Sequence, residues 1–126
     1  MENSPRFRNR GLKRLLLATK YSAQGLIAAL KNEAAFRQEV ILGLPLVALA
    51  LWLEPGFVGR AILIGSVFVV WMVELLNSGI ETAIDYQSTK VHPMAKLAKD
   101  LGSAAVFISL LNVGLVWGLF FWDKFA

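Results

Sequence analysis

A chain of 126 residues is long enough for one compact unit, and 56% of its residues are hydrophobic, with a mean hydropathy of +0.57. A soluble domain this small exposes too large a share of its surface to hide so much apolar side chain, so lipid is the natural alternative solvent. The absence of cysteine excludes disulfides, cysteine zinc sites and thiol nucleophiles, and the net charge of +4 has to be read from where the basic residues fall.

The first ten residues are polar and no small-residue cleavage site follows an early apolar run, so no cleavable signal peptide is expected. Residues from about 6 to 31 predict an amphipathic surface helix. At about 100° per residue, Arg6, Arg10, Lys13, Lys20 and Lys31 fall within about 80° of one another, with Leu12, Leu15, Leu16, Leu26, Ile27 and Leu30 opposite. Such a helix lies in the membrane interface with its basic side chains near lipid phosphates. Its apolar face needs lipid and no aromatic stacking platform accompanies the charges, so no nucleic-acid partner is expected.

Three apolar segments follow. The first is uncharged from Val40 to Leu53 and ends at the turn signal Glu54-Pro55-Gly56. It reaches the roughly 20 residues of a span only by including Arg37, Gln38 and Glu39, which gives a helix over about 34–53. The second starts after Arg60 and is uncharged until Glu74, which gives about 61–81 with Glu74, Asn77 and Ser78 in its last third. The third, Leu101 to Trp122, runs for 22 residues without a charge. Residues 82–100 are left as a loop, and the whole is read as one integral membrane domain, all-α, with a surface helix and three transmembrane helices. Eleven basic residues lie before the first span or in the 82–100 loop, against only Arg60 and Lys124 elsewhere. The N-terminus and that loop are therefore expected on the cytoplasmic side. Trp52, Trp117 and Trp122 suit an interfacial aromatic belt, with Trp71 deeper.

The informative stretch is Glu74 to Asp85. On a helix Glu74, Asn77, Ser78, Glu81 and Asp85 share one face within about 100°, while Leu75, Leu76, Ile80 and Ile84 turn elsewhere. A carboxylate at mid-bilayer depth costs roughly 2.5–3.5 kcal/mol or more, which makes an intramembrane acid a functional candidate by default. Counted from Arg60 at about 1.5 Å per residue, Glu74 lies roughly 20 Å into a core of about 30 Å. Glu81 reaches the cytoplasmic boundary, and Glu33, counted back from Glu54, comes to the same level, as do Lys99 and Asp100. The arrangement suits phosphoryl transfer from a soluble nucleotide to a buried alcohol. Boundary carboxylates could hold Mg²⁺ on the phosphates, a lysine would offset phosphate charge, and the deeper carboxylate could take the hydroxyl proton. No Walker A motif or glycine-rich kinase loop is present. Blander readings stand beside this one. Glu33 and Arg37 are an i,i+4 pair, Glu74 could relay protons or pair with Asn77, and Lys99-Asp100 could be a helix-terminal charge pair. Gly114 and Gly118 fit close helix contact, and His92 a solvated loop.

Three ordered segments, Asn32 to Glu39, Val73 to Glu81 and Ala98 to Val106, together resemble the prokaryotic diacylglycerol kinases, small trimeric membrane enzymes. The likeness runs from about Leu12 to Trp122. It implies ATP-dependent phosphorylation of 1,2-diacylglycerol to phosphatidic acid, with Mg²⁺, by a homotrimer in the bacterial inner membrane. On that pattern Glu74 is the general base with Asn77 beside it, and Glu33 and Glu81 are metal ligands. ATP contacts would be Arg14, Tyr21, Glu33, Glu81, Lys90, Val91, His92, Lys99 and Asp100. Lipid contacts would be Arg14, Ala18, Ser22, Ala23, Trp52, Glu74, Arg60, Ser103, Trp117 and Trp122. Gly79 stands where the family pattern leads us to expect alanine or serine, and the loop 87–95 shares little with it beyond His92. Two other functions compete: an undecaprenol kinase of the same family, and a small proton-coupled transporter using Glu74. Lys99-Asp100 has no required role in the latter.

Overall fold

The computed structural model describes residues 5–87 and 90–126, with side chains from Arg10 onward. Among them every element is a helix: α1 (Pro5–Asn32), α2 (Ala34–Leu53), α3 (Phe57–Gln87) and α4 (Pro93–Phe125). The chain divides into two units, Met1–Ala34 and Ala35–Ala126.

The first unit is α1, continuous over nearly the range its periodicity predicts. Leu12, Leu15, Leu16, Leu26, Ile27 and Leu30 are all exposed on it. Six large apolar side chains left open on one helix need lipid rather than water, as an interfacial helix does. Its hydroxyls turn back onto the backbone, Thr19 Oγ1 donating to the Leu15 carbonyl at 3.0 Å and Ser22 Oγ to that of Ala18 at 2.8 Å. Of the basic stripe, the Arg6 side chain lies outside the described residues. The helix ends at Asn32, and Glu33 is the single non-helical residue before α2 begins.

In the second unit, α2, α3 and α4 are each long and apolar enough to cross a membrane. The protein is an all-α membrane protein with an amphipathic N-terminal helix. The α2 helix runs unbroken through Pro45. Its last carbonyls would be orphans, and Arg60 meets one of them, Nη2 donating to the Leu51 carbonyl at 2.9 Å while Nε donates to the Glu54 carbonyl just past the helix end. The Glu54 carboxylate accepts from the Gly56 amide at 2.8 Å, which closes the turn that Glu54-Pro55-Gly56 predicts.

Gly43 lets α2 approach α3. A Cβ there would stand 2.7 Å from both the Trp71 ring and Val67 Cγ1, and Trp71 Nε1 donates to the Glu39 carbonyl at 2.9 Å. Gly43→Ala is therefore expected to overpack this crossing and cost about 1–3 kcal/mol. A Trp71 emission shift together with a lower detergent-unfolding midpoint would register it, and unchanged values would contradict the close crossing.

The core of the unit is Ala50, Leu63 and Trp117, with Leu46, Leu49, Ile64, Val113, Val116 and Phe120 packed around it. Trp117 is only 5% exposed, so it is a core residue and not part of an aromatic belt, whereas Trp52 and Trp122 are open. Five residues separate Trp117 from Trp122, which turns them about 140° apart on one helix and sends only one of them inward.

Helices α3 and α4 outrun the apolar segments that announced them. Residues 82–87 continue α3 and 93–100 open α4, so the segment 82–100 is helical at both ends. Lost hydropathy does not interrupt an i→i−4 ladder; a helix stops where its backbone is capped or broken. At the start of α4 that device is His92, extended at φ −124°, ψ 138°, whose Nδ1 accepts from the Met94 amide at 3.1 Å, with Pro93 in the first helical position.

Candidate active site

The polar residues of α3 descend through burial along one face. Glu74 is buried, 7% exposed, Asn77 and Glu81 are half-buried, and Asp85 is exposed. Opposite Asn77 lies Gly102 of α4, where a Cβ would collide with Asn77 Oδ1. The missing side chain lets the two helices meet and seats the amide against the α4 backbone. Asn77 Nδ2 donates to Glu81 Oε1 in a long hydrogen bond of 3.4 Å, while Oδ1 is buried with no hydrogen-bond partner. A buried acceptor left unpaired costs about 1–3 kcal/mol, so this amide is held by its surroundings and not by its own bonding. Four residues on along α3 and four back along α4, Glu81 comes level with Ala98, next to Lys99.

Beyond Glu81 the two helices open into a cleft of about 460 Å³. It is lined by Ile84, Asp85, Lys90, Val91, His92, Ala95, Lys96, Lys99 and Asp100. Lys99 Nζ lies 2.6 Å from Asp85 Oδ1, tying α4 to α3. Lys96 Nζ lies 2.7 Å from Asp100 Oδ2 within α4. Lys99 and Asp100 are thus not partners of each other, and the reading of the two as a local charge pair falls. Three lysines and a histidine around an open cleft, tempered by two acids, can receive an anion with several oxygens.

A family model described as prokaryotic diacylglycerol kinase matches residues 20–121. The chain is 46% identical over 117 residues to a diacylglycerol kinase of Haemophilus influenzae, an alignment covering 91% of this chain and 99% of that one. It is 43% identical over 116 residues to a diacylglycerol kinase of Escherichia coli K12, with 92% and 95% covered. With a diacylglycerol kinase of Helicobacter pylori it shares 47% identity over 109 residues, with 86% and 85% covered. The chain belongs to the prokaryotic diacylglycerol kinase family.

For this diacylglycerol kinase-family enzyme the structure gathers Glu74, Asn77 and Glu81 on one face, and Lys90, Val91, His92, Lys99 and Asp100 in one cleft. Both lie in the second unit. Arg14, Ala18 and Tyr21 share a face of α1 with Arg10, Lys13 and Leu17, and Ser22 and Ala23 follow in the next turn. These residues and Glu33, at the end of α1, belong to the first unit. At the opposite end of the spans from the cleft, Trp52 and Trp122 are exposed and Arg60 caps α2. Ser103 is exposed beside Gly102, and Trp117 is in the core. Two charged cleft residues are absent from the sequence-derived site: Asp85, although it closes the α3 polar face, and Lys96, which the basic-residue count registered only as charge.

Among the described residues no three histidine or acidic side chains converge as a cage for a metal ion. Mg²⁺ does not ask for one, because it takes one or two protein carboxylates and completes its shell with phosphate oxygens and water. The half-buried Glu81 carboxylate, steadied by Asn77, fits that requirement as a hard oxygen donor.

Proposed function

We propose that this protein transfers the γ-phosphoryl group of ATP to 1,2-diacylglycerol, giving phosphatidic acid, at the cytoplasmic face of a bacterial inner membrane. The reading is supported by one arrangement above all. A buried carboxylate, Glu74, leads along a single helix face through Asn77 and Glu81 to a lysine-rich cleft, in a chain of the diacylglycerol kinase family.

Glu74 takes the proton of the lipid hydroxyl as that oxygen attacks the γ-phosphorus. The bond between the γ-phosphorus and its bridging oxygen breaks, and ADP leaves with the electron pair. Asn77 keeps its amide beside the reacting hydroxyl. Glu33 and Glu81 would hold Mg²⁺, which when bound offsets charge on the phosphates. Lys99 supplies a fixed positive charge to the same oxygens. Lys90, Val91, His92 and Asp100 contact the nucleotide across the cleft, and Arg14 and Tyr21 of α1 are ATP contacts by family alignment. Buried depth suits the reaction, because water is kept from competing as proton acceptor.

The lipid lies against Arg14, Ala18, Ser22 and Ala23 of the surface helix, with Trp52, Arg60, Ser103 and Trp122 as family-aligned positions, while Trp117 is taken up by the core. Eleven basic residues against two support a cytoplasmic N-terminus and a cleft on that same side. The active unit is a homotrimer. Three spans enclose too little to surround both a glycerol and a nucleotide, and α4 leaves Phe107, Ile108, Leu111 and Leu115 exposed. Gly114 and Gly118 have open space where a Cβ would go, so a neighbouring helix can approach closely.

Label in the γ-phosphate of ATP should appear in the lipid as phosphatidic acid, with none released as inorganic phosphate ahead of it. Lipid-independent ATP hydrolysis, or ion flux without labelled lipid, would replace this reading.

A further inference from the structure

Asp85 has no part in the transfer as proposed, yet it makes the ion pair that crosses from α3 to α4 at the cleft. Its carboxylate is 2.6 Å from Lys99 Nζ, with the side chains 65% and 40% exposed. A pair that open adds little to the stability of a fold, so its consequence is one of place. Lysine has a flexible four-carbon stem with many rotamers, and unheld it would point its ammonium to water. Asp85 sits one turn beyond Glu81 on the same face and holds that ammonium along α3, next to the residue read as a metal ligand. It occupies one of the three protons on Nζ. The contrast with Lys96 is instructive: its partner Asp100 is on its own helix, so that pair fixes nothing between α3 and α4.

We infer that Asp85 is a positioning residue, which holds the Lys99 ammonium in the cleft where the phosphates of the nucleotide dock. This rests on the reading of the cleft as the nucleotide site. Around the pair stand Glu81, Lys90, His92, Lys96 and Asp100. A carboxylate this close to phosphate also repels it, so two effects oppose when Asp85 is neutralised. The inference is that loss of position prevails.

The test uses the full chain in mixed micelles with diacylglycerol and MgATP. Asp85→Asn should raise KM for MgATP severalfold, up to about fivefold, as loss of a partly exposed charged contact does, with KM for diacylglycerol unchanged. Asp85→Glu should restore most of the loss. On a Lys99→Met background Asp85→Asn should add nothing. An unchanged or lowered KM for MgATP in Asp85→Asn, with wild-type turnover intact, would overturn the inference alone. So would a loss shared equally by both substrates, tracking a lower unfolding midpoint. Absence of nucleotide-dependent turnover in the wild type would instead remove the nucleotide site, and the inference with it.

Discussion

Glu74→Gln is expected to lower kcat by about 10²–10⁴-fold, the range of a positioned general base, with KM for MgATP close to wild type. Glutamine keeps the shape of the side chain and loses only the proton-accepting charge. Glu74 is 7% exposed on a spanning helix, where an ionised carboxylate costs roughly 2.5–3.5 kcal/mol. Glutamine can still hydrogen-bond at this position, so the protein should remain folded in detergent. A variant that is stable and inactive would separate a functional acid from a structural one. Retained turnover, or collapse of the fold without the carboxylate, would remove Glu74 from the chemistry.

Gly102→Ala should act on the same centre from the other helix. The new methyl group would meet Asn77 Oδ1, with backbone of α4 on one side and Glu81 Oε1 at 3.4 Å from the amide nitrogen on the other. Asn77 has to move, and a shift near 1 Å in a catalytic constellation can cost about 10²-fold. The expected result is a kcat reduced by about that factor with KM for both substrates little changed, alongside a loss of about 1–3 kcal/mol in stability from overpacking. Gly79→Ala is the matched control on α3, because nothing lies within 4 Å of its Cβ position. It should keep wild-type kinetics. If Gly102→Ala matched that control, the close seat of Asn77 on α4 would be wrong.

How much of this was legible in the sequence depends on the kind of signal. The α3 face was legible because Glu74, Asn77, Ser78, Glu81 and Asp85 repeat at helical spacing, and polarity inside an apolar run needs a reason. The surface helix was legible for the same reason, from leucines opposite a basic stripe. The helix ends were less so. The apolar pattern ended near residues 81 and 101, where charge begins, but α3 runs to Gln87 and α4 starts at Pro93. The start of α4 did carry a readable mark, a proline in first position after a residue able to cap, and hydropathy drew attention away from it.

Pairings across helices were not legible. Lys99 and Asp100 are adjacent in sequence, which suggested a pair; the α3–α4 register instead gives Lys99 to Asp85, and helical i,i+4 spacing within α4 gives Asp100 to Lys96. Trp117 looked like a belt residue from its place near the end of an apolar run. Only the packing of Leu63 and Ala50 against it makes it core. Gly102 was visible as a small residue suited to close approach, but not that Asn77 is what approaches. Roles for Lys90, Val91 and His92 came from family likeness and not from spacing, and the cleft they share is a property of the folded turn.

The most direct test of the account is ADP release by the purified chain in mixed micelles, with MgATP and either diacylglycerol, undecaprenol or no lipid substrate. Turnover that depends on diacylglycerol, exceeds that with undecaprenol and yields phosphatidic acid is the predicted result. Turnover favouring undecaprenol, or none above the lipid-free rate with diacylglycerol, would contradict it.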